Sequence, residues 1–205
     1  MVKDKLDKLY ALERQRIARI ADDRGDYANP VFGEGPDSPR VMFIGEAPGS
    51  EEAAKGHPFV GKAGKQLDQL LIQADIDRSL VYVTNAVKFR PVNRKPRSAS
   101  NRTPSGAELK AGLPLLMAEI ELLRPRVIVT LGNTPLKAVS AIAGLDRMTI
   151  GETHGKPVDI SINGYGCTLM PQYHPASVIY NRALMDVLTE DIAWLGRFIK
   201  DMEER

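Results

Sequence analysis

Cysteine is what this 205-residue chain most lacks: Cys167 is the only one. No intrachain disulfide can form, and no all-cysteine metal site can be assembled from one thiol. A lone thiol suits a reducing compartment, so a cytoplasmic protein is expected. Long apolar runs are also missing. No stretch of 18 apolar residues occurs, which argues against a membrane-spanning helix. The first 26 residues, MVKDKLDKLYALERQRIARIADDRGD, are charged throughout and hold no apolar signal core. Net charge is scarce too. At +2 it points to no partner, so any basic patch must be found locally.

What is present is an ordinary globular balance, with 43% hydrophobic and 26% charged residues. Residues 3–22 space their apolar side chains as an amphipathic helix, and a Gly/Pro-rich connector follows. Residues 41–44, 81–84 and 127–131 are short apolar runs of the kind that form buried parallel strands. Asn163-Gly164, between 159–162 and 165–170, signals a hairpin whose second arm continues as a fourth central strand. Helices are expected over 64–75, 105–123, 133–143 and 183–203. Ser105 with Glu108 forms a capping-box pattern, and Asn133 reads as a cap. Residues 88–103 read as a long polar loop. Strands alternate with helices, and no repeat or composition break divides the chain. The expectation is one domain over 1–205, with 1–30 as N-terminal helix and connector. Its fold class is α/β, a three-layer α/β/α sandwich on a mainly parallel four-stranded sheet.

In an open α/β sheet, ligands sit beyond the carboxyl ends of the strands. The distinctive residues fall at those ends: Gly45-Glu46-Ala47-Pro48-Gly49, Asn85, Gly132-Asn133 and Tyr173-His174-Pro175. The first of these loops has glycine at 45, 49, 56, 61 and 64, and can bring backbone N–H groups close to a ligand. It matches neither GxxxxGK[ST] nor GxGxxG; Lys62 and Lys65 follow glycines at the wrong spacing. Taken singly, each residue has a plainer reading. Phe59 fits a core, Asn85 a turn or cap, and His174 an exposed or structural histidine.

The segment GEAPGSEEAAKGHPFVGKAGKQLDQLL resembles the first motif of the family 4 uracil-DNA glycosylases. TNAVKFRP is similar to that family's second segment, and MPQYHPASV to its His-Pro motif. The likeness runs from about residue 31 to the C-terminal helix. It implies a pocket that receives a base flipped out of the DNA stack. By resemblance, Gly45 and Ala47 belong to that pocket, Phe59 stacks on the base, and Asn85 reads its edge. A carboxamide suits uracil because it can accept from N3–H and donate to O4. His174 matches the histidine that donates to O2 of the departing base, and such a donor is worth roughly 3–4 kcal/mol. Ala47 falls where some related glycosylases carry an aspartate base. That leaves Glu46 as the candidate for orienting water, while Glu51 and Glu52 read as a solvated helix start.

The implied partner is uracil-containing DNA, handled by a monomer with no membrane involvement, no metal and no cofactor. Ser177 is a candidate phosphate contact. The stretch KFRPVNRKPRSASNR places Lys88, Arg90, Arg94, Lys95, Arg97 and Arg102 together without an acid. It is expected to face the DNA backbone. One departure from the family is clear. Its members usually hold an iron–sulfur cluster on four cysteines, and Phe89 stands where their KCRP segment has one of these. Apolar packing by Phe89 is the expected substitute. The alternatives are a nucleic-acid-binding relative with weak catalysis, or an enzyme acting on another modified base.

Overall fold

Runs such as Val41-Met42-Phe43-Ile44 are apolar at every position, so as strands they need cover on both faces. The computed structural model, which describes residues 1–20, 29–95 and 98–203, supplies that cover. Strands β1 (Val41–Gly45), β2 (Val81–Asn85), β5 (Val127–Leu131) and β7 (Tyr165–Gln172) pair in parallel. β6 (Val158–Ile162) joins β7 antiparallel through the Asn163-Gly164 turn. The sheet is therefore five-stranded, in the order β2-β1-β5-β7-β6. Its four parallel strands are those expected, and the first hairpin arm adds an antiparallel edge. Strand order reverses direction between β1 and β5, which opens a crevice at their carboxyl ends.

Side chains alternate between two apolar layers. Val41, Phe43, Val83 and Val129 face α3 (Lys62–Gln73) and α8 (Leu184–Glu203), through Leu67, Leu71, Ile192 and Leu195. Met42, Ile44, Tyr82 and Ile128 face α1 (Val2–Ile20), α4 (Gly106–Leu123) and α5 (Asn133–Ala143). Each fully buried Leu, Ile or Phe contributes about 1.5–3 kcal/mol. These layers hold the sheet rigid, leaving its carboxyl edge for polar groups.

Local signals explain the boundaries. Ser105 accepts from Glu108 N while the Glu108 side chain accepts from Ser105 N, so α4 starts on a full capping box. Asn133 does not cap α5. That place belongs to Gly132, whose φ of 93° only glycine adopts cheaply, and the Asn133 side chain instead accepts from Ile150 N at 2.9 Å. The polar stretch after β2 is not a plain loop. It carries an antiparallel hairpin, β3 (Val92–Lys95) with β4 (Ser98–Asn101). Its arms are short and mostly polar, and β4 is exposed at every position, so no alternating apolar pattern announces strands. The end of the first expected helix and part of the connector lie outside the described residues. Among the described residues, no helix is long and apolar enough to cross a membrane.

Candidate active site

The parallel register sets Gly45 beside Asn85 at the carboxyl edge. A Cβ on Gly45 would lie 2.4 Å from Asn85 Oδ1 and 2.8 Å from Phe59 Cζ. Glycine is thus required because the carboxamide and the ring both close over this point of the backbone. Asn85 is 4% exposed, yet its carboxamide makes no hydrogen bond to any described residue. A buried amide left open in this way is ready for a polar ligand. Phe59 is held at φ 55°, an uncommon and costly backbone state for a bulky residue, of the kind that collects at functional sites. Its carbonyl lies against α3, where a Cβ on Gly64 would fall 1.7 Å from Phe59 O. The ring is aimed by the glycines of its loop.

His174 enters from the loop after β7. Its Nδ1 accepts from Ala176 N at 3.1 Å, which leaves the proton on Nε2. Burial pushes the imidazole pKa below its usual value, only partly opposed by the charge of Glu52. The ring is therefore neutral near pH 7 and offers one N–H. Ser177 Oγ donates to His174 O at 2.7 Å and Ser177 N to the same oxygen at 2.8 Å, fixing the turn. Ser177 thus supports the histidine's backbone rather than facing the pocket.

Glu46 leaves β1 towards the crevice, where Thr134 Oγ1 donates to its Oε2 at 2.5 Å. That bond ties the end of β1 to the first turn of α5 and gives the carboxylate one orientation. Ala47, Asn85, Phe59, His174, Glu46 and Thr134 all line one pocket of about 790 Å³. Such a volume holds more than a single base and suits a nucleotide. Glu52, in α2 (Ser50–Lys55), is not merely solvated. Its Oε1 accepts from Gly61 N at 2.8 Å and so braces the loop carrying Phe59. Thr134 was not singled out by the sequence, and Glu52 was read there only as part of a solvated helix start. Thr134's place one residue beyond Gly132-Asn133, at a strand end, was the only available signal. The other two histidines lie outside the pocket, His57 beside Glu34 and His154 beside Asp191.

The basic stretch divides. Lys88 is wholly buried and cannot meet a DNA phosphate. Its Nζ donates to Glu119 Oε2 at 2.6 Å, Thr84 Oγ1 at 2.6 Å and Asn85 O at 2.7 Å. Three acceptors match the three N–H bonds of an ammonium, so the pair is ionic, although burial itself pushes the amine pKa down. Sequence reading missed this because it judges a lysine by its neighbours in the chain, while Glu119 comes from α4. Tyr10 OH donates to Glu119 Oε1 at 2.7 Å and so extends the network to α1. Arg102 forks onto Glu108 with two bonds of 2.7 Å, and Arg90 Nε donates to Asn101 Oδ1 at 2.7 Å. Arg102 and Asn101 line the pocket mouth. Arg94 and Lys95 belong to β3, and Arg97 lies outside the described residues.

The residues do not fit an iron–sulfur cluster. Cys167 is buried in β7, and burial pushes its thiol up to about 11, the reverse of a metal-ligating thiolate. Among the described residues, no group of three or more His, Cys, Asp or Glu could hold a metal ion. Phe89, 2% exposed, belongs to the buried cluster that includes Leu6 and Ile17 of α1 and Leu109 of α4. Apolar packing joins the N-terminal helix to the segment after β2.

Residues 32–196 match the family model described as the uracil DNA glycosylase superfamily. A type-4 uracil-DNA glycosylase of Saccharolobus solfataricus is 40% identical over 164 residues, covering 80% of this chain and 73% of that protein. One from Thermotoga maritima is 40% identical over 174 residues, covering 84% of each. Another, from Pyrobaculum aerophilum, is 39% identical over 165 residues, covering 80% and 81%.

Proposed function

Because this chain belongs to the uracil DNA glycosylase superfamily, we propose that it hydrolyses the N-glycosidic bond of deoxyuridine in DNA, releasing uracil and leaving an abasic site. The observation that carries the reading is the Asn85 carboxamide, unpaired among the described residues and closed with the Phe59 ring over Gly45, in one pocket with a neutral His174.

The reaction follows from those groups. The base leaves the stack and lies against Phe59. Asn85 accepts from N3–H and donates to O4, a pattern cytosine cannot meet. As the C1′–N1 bond breaks, its electron pair moves onto the base and charge gathers on O2. The Nε2–H of His174 donates to that oxygen, lowering the barrier without itself giving up the proton. Water then bonds to the electron-poor C1′. Glu46, held by Thr134, orients that water and opposes the sugar's positive charge. The water's second proton passes to solvent, and N1 of the released base is protonated.

The protein acts as a cytoplasmic monomer. Arg90, Arg94, Lys95 and Arg102, on or beside the β3–β4 hairpin, Arg97, which lies outside the described residues, and Ser177 near His174 are the contacts this reading offers to DNA. The test is excision from oligonucleotides carrying one U:G pair, one U:A pair or a single-stranded uracil, followed by alkaline cleavage. Wild type is expected to cut, and Asn85→Ala and His174→Ala to lose cutting while still binding DNA. A wild type that binds DNA but releases no uracil would refute the reading in favour of a binding relative.

A further inference from the structure

A second groove, of about 620 Å³, runs beside the active-site pocket between α3 and the turn that leads into α8. Lys62 lines both cavities, so the groove begins at the pocket mouth. Lys62, Lys65 and Gln66 stand on one face of α3 at helical spacing, and Arg182 faces them from the turn. All three cations are exposed, and none has a carboxylate within ion-pair distance among the described residues. No acid is among the groove's described lining residues. The contrast with the basic hairpin region is direct, since Lys88 and Arg102 there already hold Glu119 and Glu108.

The groove is also tied to the catalytic loop. Gln66 Nε2 donates to Met185 Sδ at 3.7 Å, joining α3 to the first turn of α8. Asn181 N donates to Ser177 O at 2.9 Å, and Ser177 holds His174 O. A chain lying in the groove is thus aligned with the histidine beside the pocket.

We infer that the groove of Lys62, Lys65 and Arg182 binds the phosphates of the DNA strand that flanks the flipped nucleotide. This rests on the glycosylase reading and adds the route that the strand takes away from the pocket. Unpaired cations in a row neutralise phosphates and release counterions, so their contribution is read in the salt dependence of binding.

The probe is a duplex oligonucleotide whose single uracil sits on a 2′-fluorinated sugar that resists hydrolysis. Its affinity is followed by fluorescence anisotropy across a salt series. For K62A/K65A/R182A, the slope of log K against log salt should fall by roughly 2–3, about 0.9 per lost cation, with affinity weakened at least tenfold. The charge-keeping variant K62R/K65R/R182K should restore the slope, which separates lost charge from lost packing. An unchanged slope in the alanine variant overturns the proposal. So does a slope loss confined to R94A/K95A in the hairpin, which would route the strand there. If wild type cuts uracil DNA and the groove variant keeps its slope, this inference alone fails. A wild type that neither binds nor cuts such DNA overturns the glycosylase reading as well.

Discussion

Replacing Lys88 by methionine gives the sharpest test of how this site is built. Lys88 lies in a run of basic residues that would ordinarily be assigned to DNA, yet its side chain and that of Glu119 are 0% exposed. Methionine fills similar volume but removes the ammonium. The Glu119 carboxyl is then left in the interior without its cation, with only hydroxyl donors, from Tyr10 and Thr84. Breaking a buried pair from one side costs about 3–5 kcal/mol. A domain of this size loses roughly 2–4 °C in Tm per kcal/mol, so a fall of about 6–20 °C is expected. Changing Glu119 to leucine as well removes the stranded carboxyl group. It leaves two hydroxyls short of an acceptor, at about 1–3 kcal/mol. K88M/E119L should therefore be more stable than K88M, an ordering that a surface lysine cannot produce. Urea unfolding of wild type, both single variants and the double variant measures the coupling. The salt slope of DNA binding by folded K88M should match wild type. A loss below about 1 kcal/mol in K88M, or a reduced salt slope, would refute the buried-pair account.

Other perturbations test the pocket and its rim. Gly45→Ala drives a methyl towards Asn85 Oδ1 and the Phe59 ring, so single-turnover excision should fall by at least tenfold while urea unfolding shows a folded protein. His174→Ala should slow single-turnover excision by about 10²–10³-fold. Because burial lowers the His174 pKa, the wild-type rate should stay level through pH 6.5. A break there or higher would contradict the neutral donor. The same shift affects stability: it is full above the ordinary histidine value near 6.5 and is lost as pH falls through the lowered folded value. Glu108 is held down to about 2, first by the Arg102 hydrogen bonds. Its stabilisation is complete above its ordinary value of 4.5 and is lost as pH falls from there to about 2. The exposed side of the pair limits this to about 1 kcal/mol. Arg102→Ala should flatten that acid limb in urea titrations at pH 2–5.

How much of this was legible beforehand depends on the range of the interactions. The strands 41–44 and 127–131 were visible because burial on both faces demands apolar residues at every position, a demand written into consecutive residues. The capping box at Ser105 was visible because both its bonds span three residues. The β3–β4 hairpin was hidden because VNRK and SASN carry no apolar/polar alternation that a strand face would impose.

For the site, the sequence alone determined which residue types stand at the strand ends. Motif order then named Phe59, Asn85, Glu46 and His174. Only the tertiary structure decided their states. It made Gly45 the point over which ring and carboxamide close, put the His174 proton on Nε2 and braced Glu46 with Thr134. It also withdrew Lys88 from the surface and left Lys62, Lys65 and Arg182 beside the pocket with no ion-pair partner among the described residues. The physical reason is common to these cases. A side chain's protonation, pairing and exposure are set by groups brought from distant parts of the chain, and 31 residues separate Lys88 from Glu119.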